Sequence, residues 1–168
     1  MKNNAETKIA LKRNIKDLIR IESDSNLIED PDFGVLKTDI GWKEEDFVAY
    51  VRKKNTSIYI CQISNSIIGY IAFSKENDTL TIDKLVIDPV LRKNGFGSTL
   101  LNFVENLNFS KIIAYVREND DESILFFKNR GFIARLQKNH YGSSTDAIVF
   151  ERNKNEEKKS KSTKRKTR

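Results

Sequence analysis

Apolar positions along the chain switch several times between a helical and an alternating period. Ile9 to Lys12 is a short strand-like run. Ile15, Leu18, Ile19 and Ile21 then recur at helical spacing, with Asn14 as a plausible N-cap. Asp30 to Gly41, which holds Pro31 and two glycines, has the composition of a loop. Helical spacing returns from Trp42 to Lys54 through Trp42, Phe47, Val48 and Val51. Three β-rich runs follow, Ser57 to Ile63, Ser66 to Ser74 and Thr79 to Ile87, joined by the turn signals Ser64-Asn65 and Glu76-Asn77-Asp78. Leu100, Leu101, Val104 and Leu107 mark a helix over Gly97 to Leu107. The remaining runs predict a strand over Lys111 to Arg117, a helix over Glu122 to Asn129, and strands over Phe132 to Lys138 and Thr145 to Glu151. The predicted order is β-α-α-β-β-β-α-β-α-β-β. It is α/β in class (α+β in its segregation), and its antiparallel first half argues against a doubly wound nucleotide fold.

Charge divides the chain into two parts. Residues 1 to 152 carry 22 basic and 22 acidic side chains, whereas Asn153 to Arg168 carry eight Lys or Arg against Glu156 and Glu157. The net +6 therefore belongs to the last sixteen residues, which have no apolar side chain after Phe150 to offset the entropy of ordering. The expectation is one domain over 1–152 and a disordered basic tail over 153–168. Such a tail is either a weak electrostatic arm for nucleic acid or a ribosome, a nuclear-import patch, or solvated charge with no partner. No aromatic residue interleaves its lysines for base stacking.

Composition excludes several classes of chemistry. One cysteine, Cys61, precludes an intramolecular disulfide and any multi-cysteine metal site, and one histidine, His140, precludes a multi-histidine centre. No metal is therefore expected. The longest apolar run, Ser66 to Phe73, is too short to cross a bilayer, and Met1 to Thr7 lacks a secretory pattern. A cytoplasmic protein without a membrane partner is expected, with a nuclear location open if the source is eukaryotic.

The most informative stretch is Leu85 to Leu101, LVIDPVLRKNGFGSTLL. A β-rich run ends at Asp88-Pro89, Arg92-Lys93-Asn94-Gly95-Phe96-Gly97 follows, and an amphipathic helix begins. Glycines let backbone N–H groups converge, the helix N-terminus adds the positive end of its dipole, and Arg92 and Lys93 add full charge. A pyrophosphate suits such a site. The spacing R-x-x-G-x-G matches neither the dinucleotide fingerprint nor the P-loop.

This run resembles the acetyl-CoA signature of the GNAT superfamily of N-acyltransferases. Asn119 to Phe132, NDDESILFFKNRGF, is similar to that family's Asn-helix-Gly-Phe block, with Gly131-Phe132 as its Gly-Phe pair. The resemblance covers roughly residues 7 to 152. It implies a mixed sheet with acetyl-CoA as co-substrate between two splayed central strands, Thr79 to Ile87 and Lys111 to Arg117. Backbone groups of Leu85, Val86 and Ile87 would pair with the pantetheine arm. The amides of Arg92, Lys93, Asn94, Gly95, Phe96, Gly97 and Ser98 would hold the pyrophosphate, and Asn119 and Phe127 would flank the cofactor. An acceptor amine would then attack the thioester directly.

Asn139-His140-Tyr141 followed by Asp146-Ala147 resembles the branch acting on protein N-terminal α-amines, including the ribosomal-protein alanine acetyltransferases, in which the middle residue is tyrosine. On this resemblance His140 and Tyr141 bind substrate, and Phe33 near the first loop could line the acceptor groove. Two departures stand out. Phe127 occupies the position of the family's usual tyrosine acid, and the expected capping Asn at position 120 is Asp120, preceded by Asn119. Phe127 cannot donate a proton. At pH 7 a lysine amine is neutral to roughly 0.04%, whereas an α-amine reaches roughly 10–15%. An α-amine thus asks less of a general base. The base of lysine-acetylating relatives corresponds to Thr81, which cannot serve. By the same resemblance Tyr115 falls where the α-amine branch has its Glu or His proton acceptor and could order a water or donate to sulfur. Asp83, two residues past Thr81 on one strand face, could hold a water. The catalytic candidates are Tyr115 first and Asp83 second. Two other functions stay open: transfer to a small amine (polyamine, aminoglycoside or amino acid), and a silent acyl-CoA-binding module docking through the tail.

Overall fold

The computed structural model describes residues 5–30, 34–37, 41–138, 140 and 146–154. Nine strands and four helices appear among them: β1 (Ala5–Ile9), α1 (Ile15–Ser25), β2 (Leu27–Asp30), β3 (Gly34–Lys37), α2 (Glu44–Arg52), β4 (Thr56–Ile63), β5 (Ser66–Glu76), β6 (Thr79–Ile87), α3 (Phe96–Glu105), β7 (Lys111–Arg117), α4 (Asp121–Asn129), β8 (Ile133–Gln137) and β9 (Ala147–Asn153). The predicted order of strands and helices is borne out, with two strands added between α1 and α2. Within the expected loop, β3 pairs antiparallel with β2 as a separate two-stranded sheet.

Two boundaries are corrected. The first strand ends at Ile9, and Lys12–Asn14 forms a 3-10 turn. Asn14 Oδ1 accepts from Leu11 N–H at 2.8 Å and so serves that turn, while it makes no side-chain cap on α1. The last strand runs to Asn153, one residue into the segment expected to be tail. Of that segment, residues 155–168 lie outside the described residues.

The chain divides into two compact units. The first holds the described residues up to Ser74 and Lys84–Leu107; the second holds Lys75–Asp83 and the described residues from Asn108 onward. In the first, strands run β1-β4-β5-β6, with β1 antiparallel to β4 and β4 antiparallel to β5. Alternation along β4 and β5 sends Ile58, Ile60, Ile67, Tyr70 and Ala72 into one core with Ile15, Leu18 and Ile21 of α1 and Phe47 of α2. The opposite face of β4 meets α3, where Tyr59 packs against Phe103 with ring centroids 4.4 Å apart. Cys61 is fully buried, which raises its thiol pKa, in keeping with a small core residue.

Gly69 on β5 has a spatial reason. A Cβ there would stand 2.4 Å from Ile87 Cδ1 and 2.7 Å from the backbone oxygen of Val86. A side-chain methyl can yield, but a backbone carbonyl in a ladder cannot without moving β6. Gly69→Ala is therefore expected to cost about 1–3 kcal/mol, the usual penalty of overpacking. Urea denaturation checks this, and an unchanged midpoint would refute the close approach.

The second unit orders its strands β6-β7-β9-β8. β6 and β7 are parallel, paired from Thr79↔Lys111 to Ile82↔Ala114, and β9 lies antiparallel to both β7 and β8. Register fixes two faces. One carries Ile112, Ala114 and Val116 with Phe150 opposite Ala114; the other carries Tyr115 opposite Val149. α4 packs on the first of these faces, because Phe127 stacks on Phe150 at 5.3 Å. Helix α4 ends in a Schellman motif: Phe132 N–H reaches the Phe127 carbonyl at 3.2 Å and Gly131 N–H that of Lys128 at 3.0 Å. The accompanying apolar contact is Phe127 to Phe132, 5.2 Å between centroids. On the other face Glu151 binds Lys111 at 3.0 Å and also Arg135. Partial burial pushes its carboxyl pKa up, but the hydrogen bonds from Lys111 and Arg135 outweigh this and hold it below the ordinary value.

Candidate functional site

The signature loop lies wholly in the first unit. β6 delivers Leu85, Val86 and Ile87 to Asp88, whose carboxylate accepts from Val90 N–H at 3.3 Å and opens the 3-10 turn Pro89–Leu91. Arg20 of α1 secures this corner, bonding Asp88 Oδ2 at 3.1 Å and the Ile67 carbonyl at 3.1 Å. Arg92 donates through Nε to the Ile87 carbonyl at 3.3 Å. Asn94 folds its amide back onto the carbonyls of Arg92 at 3.0 Å and Leu91 at 3.3 Å. The chain then needs two consecutive reversals. Lys93 takes φ +61 and Gly95 takes φ +87 as the N-cap of α3.

Gly95 accepts at its carbonyl from Thr99 N–H at 3.0 Å, the first intrahelical bond of α3. The N–H groups of Phe96, Gly97 and Ser98 precede it and have no intrahelical acceptor by helix geometry. Lys93, Asn94 and Gly95 are exposed, whereas the Phe96 ring is buried and anchors the turn. A loop held from behind by Arg20, Arg92 and Asn94, with first-turn amides ahead and cationic side chains beside it, has the donors that a pyrophosphate needs. Acetyl-CoA fits this loop.

A second group of predicted residues lies in the second unit. Asp83 and Tyr115 are the first residues of β6 and β7 beyond the last paired couple, Ile82↔Ala114. Asp83 is exposed and Tyr115 half-buried. His140 lies parallel to the Tyr115 ring, centroids 4.3 Å apart and planes within 1°. Its Nδ1 lies 3.2 Å from Gln137 Nε2. The structure therefore brings Tyr115 and His140 together. Phe127 is buried among Phe126, Phe132 and Phe150, on the sheet face opposite Tyr115. Asn119 is an exposed turn residue, and the cap of α4 is Asp120, which accepts from Ser123 N–H at 3.0 Å. Phe33, Asn139 and Tyr141 lie outside the described residues.

Sequence reasoning missed one constellation in the first unit. Glu22 is only 2% exposed. It accepts from the hydroxyl of Tyr70 and from Asn26 Nδ2 at 3.1 Å, and it pairs with Lys84 Nζ at 3.0 Å. Lys84 also lies over the Trp42 ring, 5.8 Å from its centroid. Burial and then the Glu22 charge push the Tyr70 hydroxyl pKa well up. The signal was present in the spacing, since Glu22 continues the buried stripe of Ile15 and Leu18 on α1. A carboxylate on an apolar face predicts a buried partner. Trp42 packs edge-on to Phe47 at 5.3 Å and tilted against Tyr50 at 4.7 Å, as a core residue would.

Among the described residues no helix is long and apolar enough to cross a membrane, and no three His, Cys, Asp or Glu gather as metal ligands. Solved acetyltransferases share the fold. The ribosomal-protein-S18-alanine N-acetyltransferase from Escherichia coli is 15% identical, with TM-score 0.70 over 88% of this chain and 92% of that one. Ard1 from Thermoplasma volcanium is 21% identical, with TM-score 0.72 over 89% and 97%. The PaiA N-acetyltransferase from Thermoplasma acidophilum, solved in complex with coenzyme A, is 14% identical, with TM-score 0.73 over 89% and 99%. At such identities these likenesses speak for the fold alone, and no curated protein matches the chain. The family model described as Acetyltransferase (GNAT) family matches residues 17–132, more than half of the chain and both signature blocks. The chain belongs to the GNAT acetyltransferases, enzymes that pass an acetyl group from acetyl-CoA to an amine.

Proposed function

We propose that the acceptor is the α-amine of a peptide or protein N-terminus. The observation that carries this reading is a half-buried Tyr115 at the end of the β6–β7 ladder, with Phe127 buried on the opposite sheet face. Phe127 offers no proton, and the Tyr115 hydroxyl can order a water or donate to a departing sulfur but is not a base for a lysine ammonium. An α-amine is partly neutral at pH 7 and needs only such modest help. Asp83, one position past the ladder on β6, is the second group able to hold that water. The Escherichia coli structure supplies a further, fold-level analogy: its name specifies N-acetylation of an alanine of ribosomal protein S18.

In this reading Leu85, Val86 and Ile87 offer backbone groups to the pantetheine arm, and residues Arg92 to Ser98 hold the pyrophosphate. Asn119 is assigned to the cofactor and Tyr141 and Phe33 to the acceptor, whereas Phe127 lies in the aromatic core with Phe126, Phe132 and Phe150. The basic segment 153–168 adds a weak, salt-sensitive contact to nucleic acid or a ribosome.

The test is CoA release from acetyl-CoA with two peptides of one sequence at pH 7. One has a free N-terminal alanine and a blocked lysine; the other has a blocked N-terminus and a free lysine. Turnover with the first alone is expected. Turnover with the second alone would overturn the proposal. If neither reacts while acetyl-CoA binds, transfer to small amines or a silent acyl-CoA module takes its place, the latter in keeping with Phe127.

A further inference from the structure

We infer that His140 is a positioning residue that sets the ring of Tyr115, with Gln137 as its brace. The inference deepens the role given to Tyr115 above and rests on it. His140 was expected to bind substrate, yet its ring is engaged on one face. The planes of His140 and Tyr115 differ by 1°, with centroids 4.3 Å apart. Parallel rings put their heteroatoms at the rims of two stacked discs, so the geometry is one of packing, with no hydrogen bond implied between imidazole and phenol.

Gln137 explains why the imidazole holds that plane. It is the last residue of β8, paired with Ala147 on β9, which in turn pairs with Arg117 on β7. Tyr115 shares its row with Val149 and Arg135. Gln137 and Tyr115 therefore sit on the same sheet face, one row apart. From there Gln137 Nε2 meets His140 Nδ1 at 3.2 Å. This contact fixes the rotation of the imidazole. A strand residue thus holds a histidine beyond the strand end, and the histidine covers one face of the tyrosine.

The consequence is directional order at Tyr115. A half-buried tyrosine just past the end of the β6–β7 ladder has two good χ1 wells, and a phenol must aim its hydroxyl to within a fraction of an ångström to be useful. Stacking selects one well. What matters is a flat ring at position 140, and a titrating nitrogen there is dispensable.

The experiment compares His140→Ala, His140→Phe and Gln137→Ala in the full chain, with kcat and KM for both substrates and the NMR shifts of the Tyr115 ring protons. The stack predicts upfield Tyr115 ring resonances that move downfield in His140→Ala and are restored in His140→Phe. It also predicts a kcat fall of about ten- to a hundred-fold in His140→Ala, with the KM for acetyl-CoA unchanged and recovery in His140→Phe. Gln137→Ala should lie between. If His140→Phe is as slow as His140→Ala, the imidazole acts through its nitrogens and the inference is wrong. Unmoved Tyr115 resonances, or full turnover by His140→Ala, would also overturn it. The ring shifts need no acceptor, so failure of the proposed substrate class would appear separately, as wild-type protein inert toward the free α-amine with the stack intact.

Discussion

Glu22→Ala should cost about 3 kcal/mol of stability, and lower the melting temperature by roughly 6–12 °C for a chain of this size. Three donors converge on the carboxylate: the Tyr70 hydroxyl, the Asn26 amide and the Lys84 ammonium. Tyr70 is fully buried, so its hydroxyl would lose its partner where no solvent replaces it. The Lys84 side chain is 23% exposed and can recover water, which keeps the expected loss at the lower end of the range for a broken buried pair. Glu22→Gln retains an acceptor for Tyr70 and should cost less, about 1–2 kcal/mol. Replacing Glu22, Tyr70 and Lys84 together by Met, Phe and Met should cost less than Glu22→Ala, because an apolar trio leaves no orphaned group. Arg20→Ala, which breaks an exposed pair with Asp24 and a partly buried one with Asp88, should cost about 1 kcal/mol. Chemical denaturation of the four variants tests the ranking, and a Glu22→Ala loss no larger than that of Arg20→Ala would show that the cluster is not a stabilising centre.

The contrast between this cluster and the signature loop explains what was legible in the chain. The loop's geometry is local. Gly95 at positive φ, the helix start behind it and Arg92 all fall within a few residues, so composition and spacing are sufficient. The turn at Gly131-Phe132 is legible for the same reason, since the Schellman bonds span only five residues. β6 and β7 also have their predicted bounds, each entered or left through turn chemistry that stops the pleat. Glu22, by contrast, draws its meaning from Tyr70 and Lys84, which are dozens of residues away and carry no mark in the sequence that they face it. The misplaced first strand has a related cause. β1 is AETKI, with hardly an apolar side chain, and it is a strand because β4 pairs with it from Ala5↔Ile63 to Ile9↔Tyr59. Backbone pairing at a sheet edge leaves little trace in side-chain pattern. The Tyr115–His140 stack was hidden too, because it depends on the register of three strands.

Gly95→Val should weaken acetyl-CoA binding at least about ten-fold, equivalent to about 1.4 kcal/mol, while Gly95→Asn should stay within a few-fold of wild type. The reason is conformational and has little to do with space. A Cβ on Gly95 would meet nothing within 4 Å, so neither substitution clashes with a neighbour. Both must adopt φ +87 with ψ −2. Asn visits this left-handed region readily, whereas a β-branched residue there is a true outlier. Valine would therefore relax toward negative φ and rotate the peptide that opens α3, and the amides of Phe96, Gly97 and Ser98 would no longer converge. The global cost should be modest, about 1–2 kcal/mol, because Phe96, Leu100, Leu101 and Val104 stay buried and hold the helix in place. Binding and stability are separated by titrating each folded variant with acetyl-CoA and following its melting temperature. Wild type at a hundred times its Kd should gain about 2.7 kcal/mol, and Gly95→Val correspondingly less at the same ligand concentration. Equal affinities for the valine and asparagine variants would mean that the loop amides do not carry the pyrophosphate, and that the charges of Arg92 and Lys93 suffice alone.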